Sequence, residues 1–142
     1  MNNIFKYTSL NNLRKEGVSF SYSGENGTVV SDIKGIGRLM QLCDEGFSLA
    51  YGYTSDKVIG KAAALLMIRL GAENVYGETV SRAALEVFEK HGVNVTYTYL
   101  VKAIINRTGD GICPMEKTVL GTDSPEEAER LLREKIKALK KS

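Results

Sequence analysis

The sequence predicts an α/β domain of three layers, with a mixed, mostly parallel sheet carrying helices on both faces and opened by a β-hairpin. Three observations lead there. Period-two runs alternate with runs of helical period along the chain, the pattern of strands feeding crossover helices. Val18-Ser19-Phe20-Ser21-Tyr22 and Thr28-Val29-Val30 flank a polar loop that contains Asn26-Gly27, the strongest short signal for a hairpin. From Val58 to Leu70 only Gly60, Lys61 and Arg69 interrupt an apolar run. A helix that is apolar almost all round must be buried, with the other elements packed around it.

In chain order, Ser9 to Glu16 reads as a short helix capped by Ser9 and closed by Gly17. The hairpin strands follow. Ile36, Leu39, Met40 and Cys43 then fall at helical spacing, with Asp32 as N-cap and Gly46 as stop. Gly35-Ile36-Gly37 lacks the third glycine and the acidic partner of a dinucleotide fingerprint. Phe47 to Tyr51 reads as a strand leading into the buried helix, which Gly71 terminates. Asn74 to Thr79 is the next strand. Ser81 caps the following helix, with Val80 and Leu85 as a hydrophobic staple, and His91-Gly92 ends it. Val93 to Tyr99 alternates strictly, predicting a strand with one covered and one wetter face. Leu100 to Arg107 has apolar residues spaced for two helical turns. Ser124-Pro125-Glu126-Glu127 opens the last helix, with serine at N-cap and proline at N1.

These elements make one domain over residues 1–142, with a core over about 17–121 and a C-terminal helix over about 124–141. The net charge of +2 comes from 19 basic and 17 acidic residues, too mixed a balance for a nucleic-acid or anionic-membrane surface. The seven tyrosines are not interleaved with a basic stripe, which argues further against nucleic acid. No apolar run approaches the ~20 residues of a membrane span. Met1 to Lys6 lacks the apolar core of a signal peptide, and two cysteines make no disulfide framework, so a cytoplasmic location is expected.

In open α/β sheets ligands bind beyond the carboxyl ends of the strands, where helix N-termini point. Lys61, beside Gly60, falls in the first turn of the buried helix, where the partial charge is already positive. An anion bound there would turn the misplaced lysine into a site; otherwise its stem packs and its ammonium reaches water. Ser81 opens a second helix start. Cys113 opens a third, with Pro114 at N1 and Glu116 at N3. A thiol at a helix N-terminus is placed for thiolate formation. Asn106, Arg107 and Asp110 are the polar residues of the preceding glycine-rich loop, Arg107 being suited to a carboxylate or phosphate. In the structural alternative, Cys113 is a small buried group, Glu116 closes a modified capping box and Arg107 makes a structural ion pair. Cys43 lies on an apolar stripe and reads as core. His91, the one histidine, stands in the last turn of its helix and reads as a cap-side residue.

Asp56 to Leu66, Val75-Tyr76-Gly77, Val80-Ser81, Ile105-Asn106-Arg107 and Gly111 to Lys117 together resemble a small prokaryotic family, the domain of unknown function numbered eighteen ninety-three. The resemblance spans the chain from the hairpin through Leu120. It implies a cytidine-deaminase-like fold and no known activity. Zinc deaminases place His or Cys with a glutamate at one helix start and Pro-Cys-x-x-Cys at the next. Here those starts read Ile59-Gly60-Lys61-Ala62 and Val80-Ser81-Arg82-Ala83-Ala84, without ligands. Only His91, Cys43 and Cys113 could serve as nitrogen or sulfur ligands, so neither a metal nor another cofactor is expected.

Two readings of function follow. In the first, a zinc-free pocket binds a small anionic or nucleotide-like ligand through Lys61, Gly60, Ser81, Asn106, Arg107 and Asp110, with Cys113 as nucleophile and Glu116 as acid or base if there is catalysis. In the second, the domain is a non-catalytic interaction or oligomerisation module, a homodimer formed through the 93–99 strand lying at a sheet edge.

Overall fold

The computed structural model describes residues 3–141; the expected single domain extends over three further residues, Met1, Asn2 and Ser142, that lie outside the described ones, as does the start of the segment read for a signal peptide. Five strands form one sheet in the order β2-β1-β3-β4-β5. They are β1 (Phe20–Gly24), β2 (Gly27–Ser31), β3 (Gly52–Ile59), β4 (Asn74–Ser81) and β5 (Asn94–Val101). β1 pairs antiparallel with β2 and with β3, while β3–β4 and β4–β5 are parallel. The sheet is therefore mixed, with antiparallel and parallel pairings in equal number rather than mostly parallel.

The helices are α1 (Asn3–Arg14), α2 (Gly37–Glu45), α3 (Lys61–Arg69), α4 (Arg82–Lys90), α5 (Pro114–Thr118) and α6 (Pro125–Lys141). α1 packs on β1 and β3, and α3 is the hub of the other helices, touching α2, α4, α5 and α6. Every residue of α3 from Lys61 to Met67 is buried, as a helix apolar on all sides requires. The core is built by α3 with Leu39, Leu42, Leu49, Val75, Phe88 and Leu132.

Four local expectations are corrected. α1 begins well before Ser9, which is not a cap but a buried mid-helix residue. Its hydroxyl lies 2.8 Å from that of Ser55 and donates to the Ser21 carbonyl at 3.2 Å, so small serines let α1 approach the sheet closely. Second, Phe47 to Tyr51 forms no strand. Phe47 N–H donates to Leu42 O and Leu49 N–H to Leu70 O, at 3.0 and 2.8 Å. The alternation there reflects burial of Leu49 in a connection tied to two helix ends.

The strand is instead Gly52–Ile59, so Val58 and Ile59 end β3 and the helix begins only at Lys61. Its middle, Thr54-Ser55-Asp56, is polar and buried, which hides a central strand from a hydrophobicity pattern. Third, Leu100 to Arg107 is not helical: β5 runs on to Val101, and the segment beyond it closes through an isolated bridge between Ile105 and Ile112. Fourth, α2 is preceded by Ile36 without a side-chain cap, not by Asp32; Gly46 ends it in the left-handed region at φ 67°. β5 is an edge strand. Val95 leans on the core, yet Tyr97 and Tyr99 on the same face are 41% and 60% exposed, so neither face is covered along its length.

Candidate functional site

A cleft of about 660 Å³ opens beyond the carboxyl end of β3. The segment 17–19 leading into β1, the turn 34–36 before α2, the start of α3 and the 104–116 segment enclose it. Ile36, Val58, Ala63, Ile104 and Met115 give it apolar walls, and Lys34, Lys57, Asp56, Arg107, Cys113 and Glu116 supply its charged and titratable groups.

Gly60 is the N-cap of α3 and has no side chain to satisfy the first-turn amides. Glu116 does so from α5. Its Oε1 accepts from Lys61 N–H at 2.7 Å and its Oε2 from Ala62 N–H at 2.8 Å. A carboxylate at this terminus meets both the unpaired donors and the positive end of the helix dipole. The anion that the position calls for is thus part of the chain. Gly60 is required for steric rather than conformational reasons: its φ of −96° suits any residue, but a Cβ there would overlap the Glu116 carboxyl group.

Lys61 is buried and is not among the residues lining the cleft. Its ammonium pairs with Asp123 Oδ1 at 3.0 Å and donates to Leu120 O at 3.3 Å. Asp123 also receives Lys90 at 3.0 Å, and the two lysine hydrogen bonds, that of Lys90 first, hold its carboxyl below the usual range. His91 Nε2 stands 3.1 Å from the Asp123 carbonyl, so the α3 start, the α4 end and the approach to α6 meet at one ionic node. Ser81 is likewise outside the cleft. Its hydroxyl accepts from Ala84 N–H at 3.1 Å, the N-cap bond read from the sequence.

Asn106 and Asp110 hold the 106–111 turn together. Asn106 Nδ2 donates to Asp110 Oδ1 at 3.0 Å, Asp110 N–H donates back to Asn106 Oδ1 at 3.2 Å, and Asn106 N–H reaches Gly111 O at 2.8 Å. Hydrogen bonds from Thr108 and then Asn106 lower the Asp110 carboxyl. Between them Arg107 extends to the cleft, where it and Lys34, both exposed, form no ion pair or hydrogen bond among the described residues. Cys113 is the N-cap of the five-residue α5 with Pro114 behind it; its side chain makes no capping bond and is half-buried in the cleft wall. Cys43 packs against the core, and burial pushes its thiol up to about 11.

Of the residues singled out in the sequence, Gly60, Arg107, Cys113 and Glu116 converge on the cleft; Lys61, Ser81, Asn106 and Asp110 do not. Ser19, Lys34, Asp56 and Lys57 are polar cleft residues that the sequence does not single out. Asp56 is 7% exposed and burial pushes its carboxyl well above the ordinary range. Its signal was available once the strand was placed at 52–59, because Thr54, Asp56 and Val58 then share a face and put an acid at the ligand-side end of a central strand.

No group of three or more His, Cys, Asp or Glu residues among the described ones is arranged to hold a metal. No helix among them is long and apolar enough to cross a membrane. No curated protein matches the chain. A crystal structure of a DUF1893 family protein (TM1506) from Thermotoga maritima superposes with a TM-score of 0.86 at 24% identity, covering 95% of this chain and 92% of that one. At that identity the likeness establishes the fold. The family model described as domain of unknown function (DUF1893) matches residues 8–136, and the chain belongs to that family.

Proposed function

We propose that the protein is a cytidine-deaminase-like domain without a zinc site that binds a small anionic or nucleotide-like ligand in the cleft beyond β3. The observation that carries this reading is the pair of exposed, unpaired cations, Lys34 and Arg107, in a cleft with apolar walls. Apolar walls favour a flat organic body, and the guanidinium favours a carboxylate or phosphate on it. Glu116 already occupies the α3 N-terminus, so the anionic group of the ligand belongs at the cationic rim and not on the helix. Gly60 and Glu116 shape the wall, and Cys113 is the nucleophile available to any covalent step. Both oxygens of Glu116 are engaged by α3 amides, which suits it to positioning rather than proton transfer.

The strand order and the parallel β3–β4–β5 half support the deaminase-like assignment. The donors do not fit its zinc. The α3 and α4 starts offer Gly60-Lys61-Ala62 and Ser81-Arg82, with no histidine or cysteine at either.

The test is a ¹H–¹⁵N NMR titration with adenosine 5′-monophosphate, ribose 5-phosphate and adenosine. The phosphates are expected to move the amides of Gly35, Gly60, Ile104 and Cys113, and Arg107→Ala to weaken them about ten-fold. Silence of those amides toward all three compounds would sink the reading. A second reading, homodimer formation through β5, draws on the exposed Tyr97 and Tyr99 of that edge strand. Sedimentation equilibrium decides it: a monomer at high micromolar concentration removes it.

A further inference from the structure

We propose that Asp56 is the specificity-determining residue of the cleft and receives an amidine-type edge, two adjacent N–H donors on a planar group, from the ligand. This deepens the cleft reading and rests on it. Asp56 ends the continuous buried run that opens β3, lies more than nine-tenths buried, and lines the cleft beside Ser19, Val58, Gly60, Ala62 and Ala63. Its Oδ1 accepts from Val58 N–H at 3.3 Å, the Lys57 N–H also favours the ionised carboxylate, and it forms no ion pair among the described residues. A carboxylate offers about four acceptor positions, so about half of its capacity remains for a ligand. A ligand that supplies donors to those positions adds charge-assisted hydrogen bonds to a largely desolvated carboxyl group.

The donor that fits both oxygens of a carboxylate is a planar, forked N–H pair. The walls on either side are aliphatic or thioether groups from Ile36, Val58, Ala63, Ile104 and Met115, which accept a flat ring and offer it no competing donor of their own. Lys34 and Arg107 then take an acidic group carried at the other end of the ligand. The occupant so described is a ring with an amidine or guanidine edge and an acidic tail. The charged and titratable groups facing Asp56 around the cleft are Lys34, Lys57, Arg107, Cys113 and Glu116. Burial raises its carboxyl, and a paired amidinium favours the ionised form.

Three probes separate the possibilities: 4-amidinobenzoate, 4-carbamoylbenzoate and benzoate, titrated into the full chain by NMR. The expected result is 4-amidinobenzoate at least about ten-fold tighter than 4-carbamoylbenzoate. In Asp56→Asn the preference vanishes while the benzoates still move the cleft amides. Equal affinity of all three probes for the wild-type cleft overturns the role of Asp56 and leaves the cleft reading intact. No perturbation of cleft amides by any probe overturns both. Should Asp56→Asn fail to fold, the preference of the wild-type cleft among the three probes decides alone.

Discussion

α3 and α4 start in the same way, each where a parallel strand ends at one rim of the sheet, and their first turns are satisfied by opposite means. At α4 the residue ending β4, Ser81, turns its own hydroxyl onto the amide three residues on. At α3 the corresponding residue, Gly60, has no side chain, and a carboxylate from 55 and 54 positions further along the chain takes the amides of Lys61 and Ala62. The local cap needs only its own helix. The distant one ties α5, and through it the 104–116 wall of the cleft, to the most buried helix in the molecule. A helix N-terminus that looks like an anion site can therefore be a joint between two parts of the fold.

The sharpest way to break this comparison is Glu116→Ala. It removes two hydrogen bonds to a buried carboxylate and leaves the α3 amides unpaired, so a loss of about 3 kcal/mol is expected in urea unfolding with an unchanged slope. A loss below about 1 kcal/mol would make the joint energetically no different from the local cap. Gly60→Ala comes next, at about 2 kcal/mol, because its Cβ has nowhere to go but into the Glu116 carboxyl. Since the backbone at Gly60 is permissive, this cost should disappear in the Glu116→Ala background; a double-mutant cycle measures it, and additivity would refute the steric account.

Ser81→Ala is expected to cost about 1 kcal/mol, the ordinary value of a serine cap, with no effect on the cleft amides in NMR spectra. The smallest effect concerns Asp56 and depends on pH. Its carboxyl binds protons more tightly in the folded chain than in the unfolded one. Its contribution is therefore fully present below about pH 4 and is lost as pH rises toward the folded value. Asp56→Asn should flatten that part of the stability–pH curve and raise the melting temperature at neutral pH by roughly a few degrees. An unchanged curve would mean that Asp56 is better solvated than its burial implies.

Much of the fold was legible because its signals are local. Ser81 and Ser124 announced their helices by cap chemistry, Gly46 announced an end, and α3 announced its burial through the absence of a polar face. Where local pattern and tertiary demand diverged, the pattern misled. Leu49 is buried without being in a strand, Thr54-Ser55-Asp56 are in a central strand without being apolar, and Leu100 to Arg107 carries helical spacing across a strand end and a loop. The candidate site was half legible. Cys113, Glu116, Gly60 and Arg107 are identifiable by residue type and position, whereas the first-turn position of Lys61 allows either a bound anion or a packed stem and does not reveal its pairing with Asp123. Asp56 was passed over because its strand was placed one segment too early.

The sequence by itself determined the class of the domain, the order of most elements and the buried central helix, because propensity, capping and hydrophobic period act over a few residues. Only the tertiary structure decided which charge meets which helix end, which lysines are paired, and which acid remains unpaired at the cleft. Those outcomes depend on contacts between segments tens of residues apart, and Coulombic and hydrogen-bond energies follow distance in space, not separation along the chain.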